Sequence, residues 1–297
     1  MKPNASPPWR TEVAGTSTVA GVLRAAAQQL AGTSDTARLD AELLMAHALG
    51  VSRSDLLLRH MGAISPALLD RFNHLLDRRL RSEPVAYILG YQEFRDLNFA
   101  VNAHVLIPRA DSETTLQAAL DAAPGSARVL DCGTGSGALL LSFLHERPGS
   151  SGIGIDASAQ ALGVAACNCE SLGLTGRAQF FVRDWNQPGW AEQLGRFDLI
   201  LSNPPYVEAD AQLDSSVRDF EPAQALFAGP DGLDDYRALI PQLPALLEPG
   251  GVAVLEIGAT QAGAVTQIAT QSGFTVQCHE DLGGRPRALV LRLGLGK

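Results

Sequence analysis

Residues 127–137 read ARVLDCGTGSG, and this stretch decides the fold. Its first half is the short apolar run of a buried strand, and it stops at a loop with glycine at every second position. Gly133, Gly135 and Gly137 permit dihedrals that other residues avoid and let the main chain approach a ligand closely. The loop then opens a helix, so unpaired N–H groups at the helix start point at whatever occupies it. Strand, glycine loop and helix in that order open an α/β domain with a largely parallel sheet.

The rest of the chain continues the pattern. Strand candidates follow at SGIGID (151–156), AQFFV (178–182), FDLILS (197–202), VAVLEI (252–257), TVQCH (275–279) and ALVLRL (288–293), with helical stretches between the earlier ones. The last two have no helix between them, which predicts an antiparallel edge on a seven-stranded, mostly parallel sheet. Residues 110–297 are thus expected to form a Rossmann-like catalytic domain. Upstream, TVAGVLRAAAQQL, ARLDAELLMAHALG and PALLDRFNHLLDRRLRS space apolar residues three or four apart, predicting a small helical bundle over 18–83. Ser65-Pro66 reads as a helix start and Gly50 as a helix end. Arg71, Arg78, Arg79 and Arg81 on the last of these helices form either a solvated basic face or a docking surface. Residues 84–109 are expected to be a hairpin linker that breaks at Asp-Leu-Asn, and residues 1–17 a flexible leader without a signal-peptide core.

Composition narrows the function. Of 297 residues 46% are hydrophobic, too many for a disordered chain, yet no apolar run reaches the ~18–20 residues of a membrane span. The four cysteines form no CxxC pair and no metal-ligand spacing with the six histidines, so reduced thiols, a cytoplasmic protein and no metal are expected. Net charge is −9, with +2 over residues 1–90 and −11 over 91–297. That balance opposes a chain built on phosphate contacts and disfavours nucleic acid as substrate.

The candidate ligand follows from three acids and a tryptophan. The loop alone also fits a loose dinucleotide pattern. Asp156, ending the second strand about twenty residues on, is placed to accept both hydroxyls of an adenosine ribose. Asp131, directly before the loop in D-x-G-x-G-x-G, turns the choice toward S-adenosylmethionine, since dinucleotide dehydrogenases usually carry an apolar residue there. After the third strand, Asp184 is placed to accept from the adenine amine and Trp185 to pack on the ring, unless the indole only fills a helix–sheet gap. The cofactor contacts expected from these residues are Asp131, Gly133, Thr134, Gly135, Ser136, Gly137, Asp156, Asp184 and Trp185.

The fourth strand runs into LSNPPYVE (201–208). Two prolines end the strand and hold Asn203 extended at its carboxyl end, where open α/β sheets bind their ligands. A planar NH₂ nitrogen is a poor nucleophile because its lone pair is delocalised. Acceptors at the Asn203 side-chain oxygen and the Pro204 carbonyl would take its two protons, orient it and favour the charge that develops in attack. Tyr206 would stack on the planar group. Catalysis is thereby assigned to Asn203, Pro204 and Tyr206, and substrate binding to Asn203–Tyr206. No histidine or carboxylate is clearly placed to take the departing proton, which leaves water.

Taken with their order, EPVAYILGYQEF, LIPRADSE, DCGTGSGALLL, SNPPYVE, FEPAQALFAGPDGLDDYR, LEIG and DLGGRPRALVLRL resemble the release-factor glutamine methyltransferases of the PrmC/HemK family over residues 18–293. The resemblance implies S-adenosylmethionine as cofactor, with Asn203 among its contacts, and peptide-chain release factors as partners, methylated at the glutamine nitrogen (N5) of their Gly-Gly-Gln motif, a glutamine touched by Asn203, Pro204, Pro205 and Tyr206. The family's usual PRPDTE reads PRADSE here, with Ala110 and Ser112 changed, and Cys132 stands where an aliphatic residue is common. Arg109 reads equally as a residue near the site or as half of a structural salt bridge. Rival readings are a ribosomal-protein glutamine methyltransferase, an adenine-N6 nucleic-acid methyltransferase, a non-catalytic scaffold and a dehydrogenase. PRADSE and DLGGRPR favour the release-factor type.

Overall fold

Thr18 and Ser65 begin their helices by accepting the N–H groups of Gly21 (3.2 Å) and Leu68 (3.3 Å), the N-cap device that satisfies an orphan donor. The computed structural model describes residues 18–60 and 62–294; residues 1–17, read as a leader, lie outside them. The chain divides between Leu89 and Gly90 into two compact units.

The first unit holds α1 (Val19–Leu30), α2 (Ala37–Leu49), α3 (Arg53–Leu58), α4 (Pro66–Leu80) and α5 (Val85–Leu89). Gly50 ends α2 in the left-handed conformation, and Pro66 takes the first position of α4. Leu23, Leu44, Met45, Leu56, Phe72 and Leu76 form its core, with Ile88 of α5 packed among them. The segment read as a linker is therefore shared: its first residues are helical and belong to this core.

The arginines of α4 do not form a continuous basic face. Arg79 is buried and paired with buried Asp40 of α2 at 2.7 Å. Arg78 holds both carboxylate oxygens of Glu83, at 2.5 and 2.8 Å. Arg71 and Arg81 remain exposed.

The second unit opens with a hairpin, β1 (Tyr91–Phe94) and β2 (Leu97–Ala100). Its turn is Arg95-Asp96, both at positive φ, so Leu97 and Asn98 already belong to the second strand. A two-residue turn of that kind matches the twist of the paired strands, which a break at Asp-Leu-Asn would not.

Then come α6 (Ser112–Ala122), β3 (Arg128–Cys132), α7 (Ala138–Glu146), β4 (Ser151–Asp156), α8 (Ala159–Ser171), β5 (Ala178–Val182) and β6 (Phe197–Ser202). After them lie α9 (Ser215–Arg218), α10 (Asp234–Leu239), α11 (Leu243–Leu246), β7 (Leu247–Glu256), α12 (Ala262–Gln271), β8 (Phe274–Glu280) and β9 (Pro286–Leu293). The seven-stranded sheet runs β5-β4-β3-β6-β7-β9-β8, parallel through β7, with β9 antiparallel to both its neighbours. Side chains alternate across it. Val129, Leu199, Leu201 and Val254 join the cluster that contains α6 and α7 residues, while Leu130, Ile200 and Leu255 join the one that contains Tyr236 and Leu239 of α10. Strand order reverses between β3 and β6, which opens a crevice at their carboxyl ends.

Candidate active site

The loops that leave β3, β4, β5 and β6 converge on one cavity of about 410 Å³ at that crevice. Asp131, Gly133, Thr134, Gly135, Ser136, Asp156, Asp184, Trp185, Asn203 and Pro205 all line it. Gly137, Pro204 and Tyr206 are not among its lining residues.

The glycine loop is held from β4. The N–H groups of Gly133 and Thr134 both donate to the Ile155 carbonyl at 2.9 Å. All three glycines have positive φ, between 55° and 83°. Gly137 begins α7, and a Cβ there would lie 2.8 Å from Leu141 Cδ1, so its role is to let the helix start.

Two carboxylates frame the loop. Asp156 accepts the Gly135 N–H at 3.0 Å on one oxygen and the Ser158 N–H at 2.9 Å on the other, leaving lone pairs on both. Burial raises its pKa, and these two bonds lower it again in part. Asp131 is buried, and its Oδ2 accepts from Thr134 Oγ1 at 2.7 Å. Among the described residues its Oδ1 has no partner. Burial pushes its pKa up to about 7, against the Thr134 bond and with help from the Asp156 charge.

Trp185 donates through Nε1 to Asp235 of α10 at 3.0 Å, and its six-membered ring stands over Gly133. The indole therefore lines the cavity and also packs on the core beside α10. Asp184 accepts the Asn186 N–H at 2.9 Å and Gln187 Nε2 at 3.5 Å, and lines the cavity.

On the opposite side, Ser202 Oγ donates to the Cys132 carbonyl at 2.7 Å and ties the end of β6 to the end of β3. Asn203 follows directly, half-buried, and its side chain makes no hydrogen bond among the described residues. The Tyr206 carbonyl accepts from Gln261 Nε2 at 3.0 Å, while Val207 and Ala228 exchange backbone bonds with residues 226 and 207. The asparagine loop is thus fixed from both directions. The Tyr206 ring packs on the α10 side of the sheet; its pKa is pushed up to about 12, first by burial and then by Glu256.

Three anchoring acids lie in the segments FEPAQALFAGPDGLDDYR and LEIG but are not among the site residues expected from the sequence. Buried Glu221 accepts the Ile107 N–H at 3.2 Å and pairs with Arg109, so Arg109 lines the cavity and forms a salt bridge at once. Asp235 holds Trp185. Glu256, at the end of β7, is buried and accepts from Thr115 Oγ1 at 3.4 Å, with Ser112 beside it. Among the described residues no cluster of His, Cys, Asp or Glu is arranged to hold a metal, and no helix is long and apolar enough to cross a membrane.

Two family models match the chain: "PrmC N-terminal domain" over residues 21–90 and "Methyltransferase small domain" over 109–227. A methyltransferase structure from Pyrococcus furiosus shares the fold at TM-score 0.50 and 17% identity, covering 74% of this chain and 99% of that one. The release factor glutamine methyltransferase of Rhodospirillum rubrum is 43% identical over 259 residues, 86% of this chain and 78% of the relative. That of Cereibacter sphaeroides is 42% identical over 278 residues, 92% of this chain and 98% of the relative. Identity at this level along nearly the whole of both chains means that this protein belongs to the release factor glutamine methyltransferase family.

Proposed function

We propose that this enzyme methylates the side-chain nitrogen (N5) of a glutamine, that of the Gly-Gly-Gln motif in peptide-chain release factors, with S-adenosylmethionine as methyl donor. The observation that carries the reading is Asn203: an uncommitted amide at the carboxyl end of β6, in the same cavity as the glycine loop. An amide there accepts from a substrate NH₂ without adding an anion to the site.

The residues fit the donor. Asp156 retains lone pairs for two ribose hydroxyls, and the indole of Trp185 offers an apolar face beside the loop. Asp131 lines the same cavity, where its carboxylate would suit the donor's ammonium group. When bound, the donor supplies a methyl group made electrophilic by its sulfonium. The chain's work is to position the acceptor. Asn203 Oδ1 and the Pro204 carbonyl take the two N–H groups, turning the nitrogen lone pair toward the methyl and stabilising the charge that grows on it. Tyr206, packed behind the loop, holds that geometry. The helical unit supplies recognition of the folded release factor, whose Gly-Gly-Gln loop is too small a target alone; the place of action is the cytoplasm.

The test is methyl transfer from labelled S-adenosylmethionine to release factor, ribosomal protein and duplex DNA in parallel, with mass spectrometry of the product. N5-methylglutamine in Gly-Gly-Gln is expected; label in DNA or ribosomal protein alone would overturn the assignment.

A further inference from the structure

We propose that Glu256 receives the proton released by the acceptor nitrogen, relayed through the Ser112 hydroxyl. This rests on the functional reading above and adds the proton path, for which the sequence shows no placed base.

The register brings the groups together. Ser202 pairs with Leu255, so Asn203 and Glu256 each lie one residue further along adjacent parallel strands. Such strands are about 4.8 Å apart. Glu256 shares the sheet face of Val254, and its side chain meets Ser112 and Thr115 of α6. Ser112 is only 5% exposed yet lines the cavity that holds Asn203, which sets it between that cavity and a carboxylate shut away from solvent. Of the other acids around the site, Asp131 is taken by Thr134 and, in the functional reading above, by the donor's ammonium group, and three more are held by the protein itself. Asp156 is held by two backbone N–H groups, Glu221 by Arg109 and Ile107, and Asp235 by Trp185.

The transfer balances. After methylation one N–H group turns from its carbonyl acceptor to Ser112 Oγ; that N–H bond breaks, and its electron pair stays on nitrogen, which becomes neutral. Ser112 Oγ takes that proton while its own passes to a Glu256 oxygen. Ser112 is regenerated, and Glu256 returns the proton by the same path after product leaves.

The surroundings set the pH range. Glu256 faces Arg287 of β9, Asp111 and the hydroxyls of Ser112 and Thr115 at the start of α6, Tyr206 of the asparagine loop and Tyr236 of α10. Burial dominates and raises its pKa to about 7; Arg287 counters only in part, being already paired with Asp111 at 2.7 Å. Glu256 therefore accepts a proton above that pH and not below it.

The experiment uses the full chain with release factor as acceptor, following kcat, KM and S-adenosylmethionine binding by calorimetry. Wild-type kcat should rise with pH through neutrality. Glu256→Gln should lower kcat by about 10²-fold and abolish that rise, with KM and donor affinity near wild type. Ser112→Ala should match it, and Ser112→Thr should recover most of the loss. In the unliganded protein, pH-difference infrared spectra should show a buried carboxyl titrating near neutrality that Glu256→Gln removes. An active wild type whose Ser112→Ala variant keeps its rate and pH profile overturns the relay even if Glu256→Gln fails to fold. A wild type inactive on every acceptor would instead sink the functional reading.

Discussion

Gly133 and Trp185 stand so close that a Cβ on the glycine would lie 3.2 Å from the indole Cη2. The glycine also has φ +74°, a conformation that side chains rarely adopt. Two independent costs thus fall on one position, one in the backbone and one in the packing that shapes the cavity. Gly133→Ala should lose about 1–2 kcal/mol of stability from the backbone alone. It should also weaken S-adenosylmethionine binding by roughly tenfold or more as the indole is displaced. Chemical denaturation and calorimetry read the two separately; unchanged donor affinity would mean that Trp185 does not bound the donor site.

Asn203 and Asp156 are expected to fail in different ways. Asn203→Ala should lower kcat by about two to three orders of magnitude, the scale of losing one preorganised group aimed at the reacting atom. Donor binding should weaken much less, since Asp156 and the glycine loop hold the adenosine end in the functional reading above. Asp156→Ala should chiefly raise KM for S-adenosylmethionine, because a ribose contact exists in ground and transition states alike. The reverse pattern would show that the two roles have been exchanged.

Asp131 makes stability depend on pH. Its folded-state pKa of about 7 lies above its ordinary value of 3.8, so between these limits the folded chain binds more protons than the unfolded one. Stability then falls as pH rises across that window, by at most about 4 kcal/mol from this group. Asp131→Asn keeps an acceptor for Thr134 and carries no charge to desolvate. Its urea-melt stability should decline less between pH 4 and 7 than that of the wild type, about 3 units on the pH scale. Parallel declines in the two proteins would contradict the assignment.

The helical unit carries exposed apolar residues rather than a basic helix face. Leu57 and Leu58 at the end of α3 are 54% and 87% exposed, whereas Arg78 and Arg79 are spent on Glu83 and Asp40. If this unit docks the release factor, covering Leu58 is worth about 1.5–3 kcal/mol. Leu58→Asp should then raise KM for intact release factor by roughly ten- to a hundredfold and leave a short Gly-Gly-Gln peptide unaffected. An unchanged KM for the intact protein would remove this surface from the docking proposal.

Local rules made much of this molecule legible in the sequence. The alternation of apolar strand and helix produced the sheet, with its antiparallel edge at β8 and β9. Ser65-Pro66 and Gly50 act through neighbours within one turn, so their capping roles need no tertiary information. The glycine loop, Asp156 and Asn203 come to one cavity because each lies at the carboxyl end of a strand, and such ends meet where strand order reverses. Only the tertiary structure decided what lies behind them. Asp40 meets Arg79 thirty-nine residues away, and Glu221 reaches Ile107 across 114. Glu256 looks like any acid at a strand end until packing buries it against Ser112 and Thr115. A carboxylate's protonation and partners depend on desolvation and on charges brought near by folding, and no local pattern of residues encodes either.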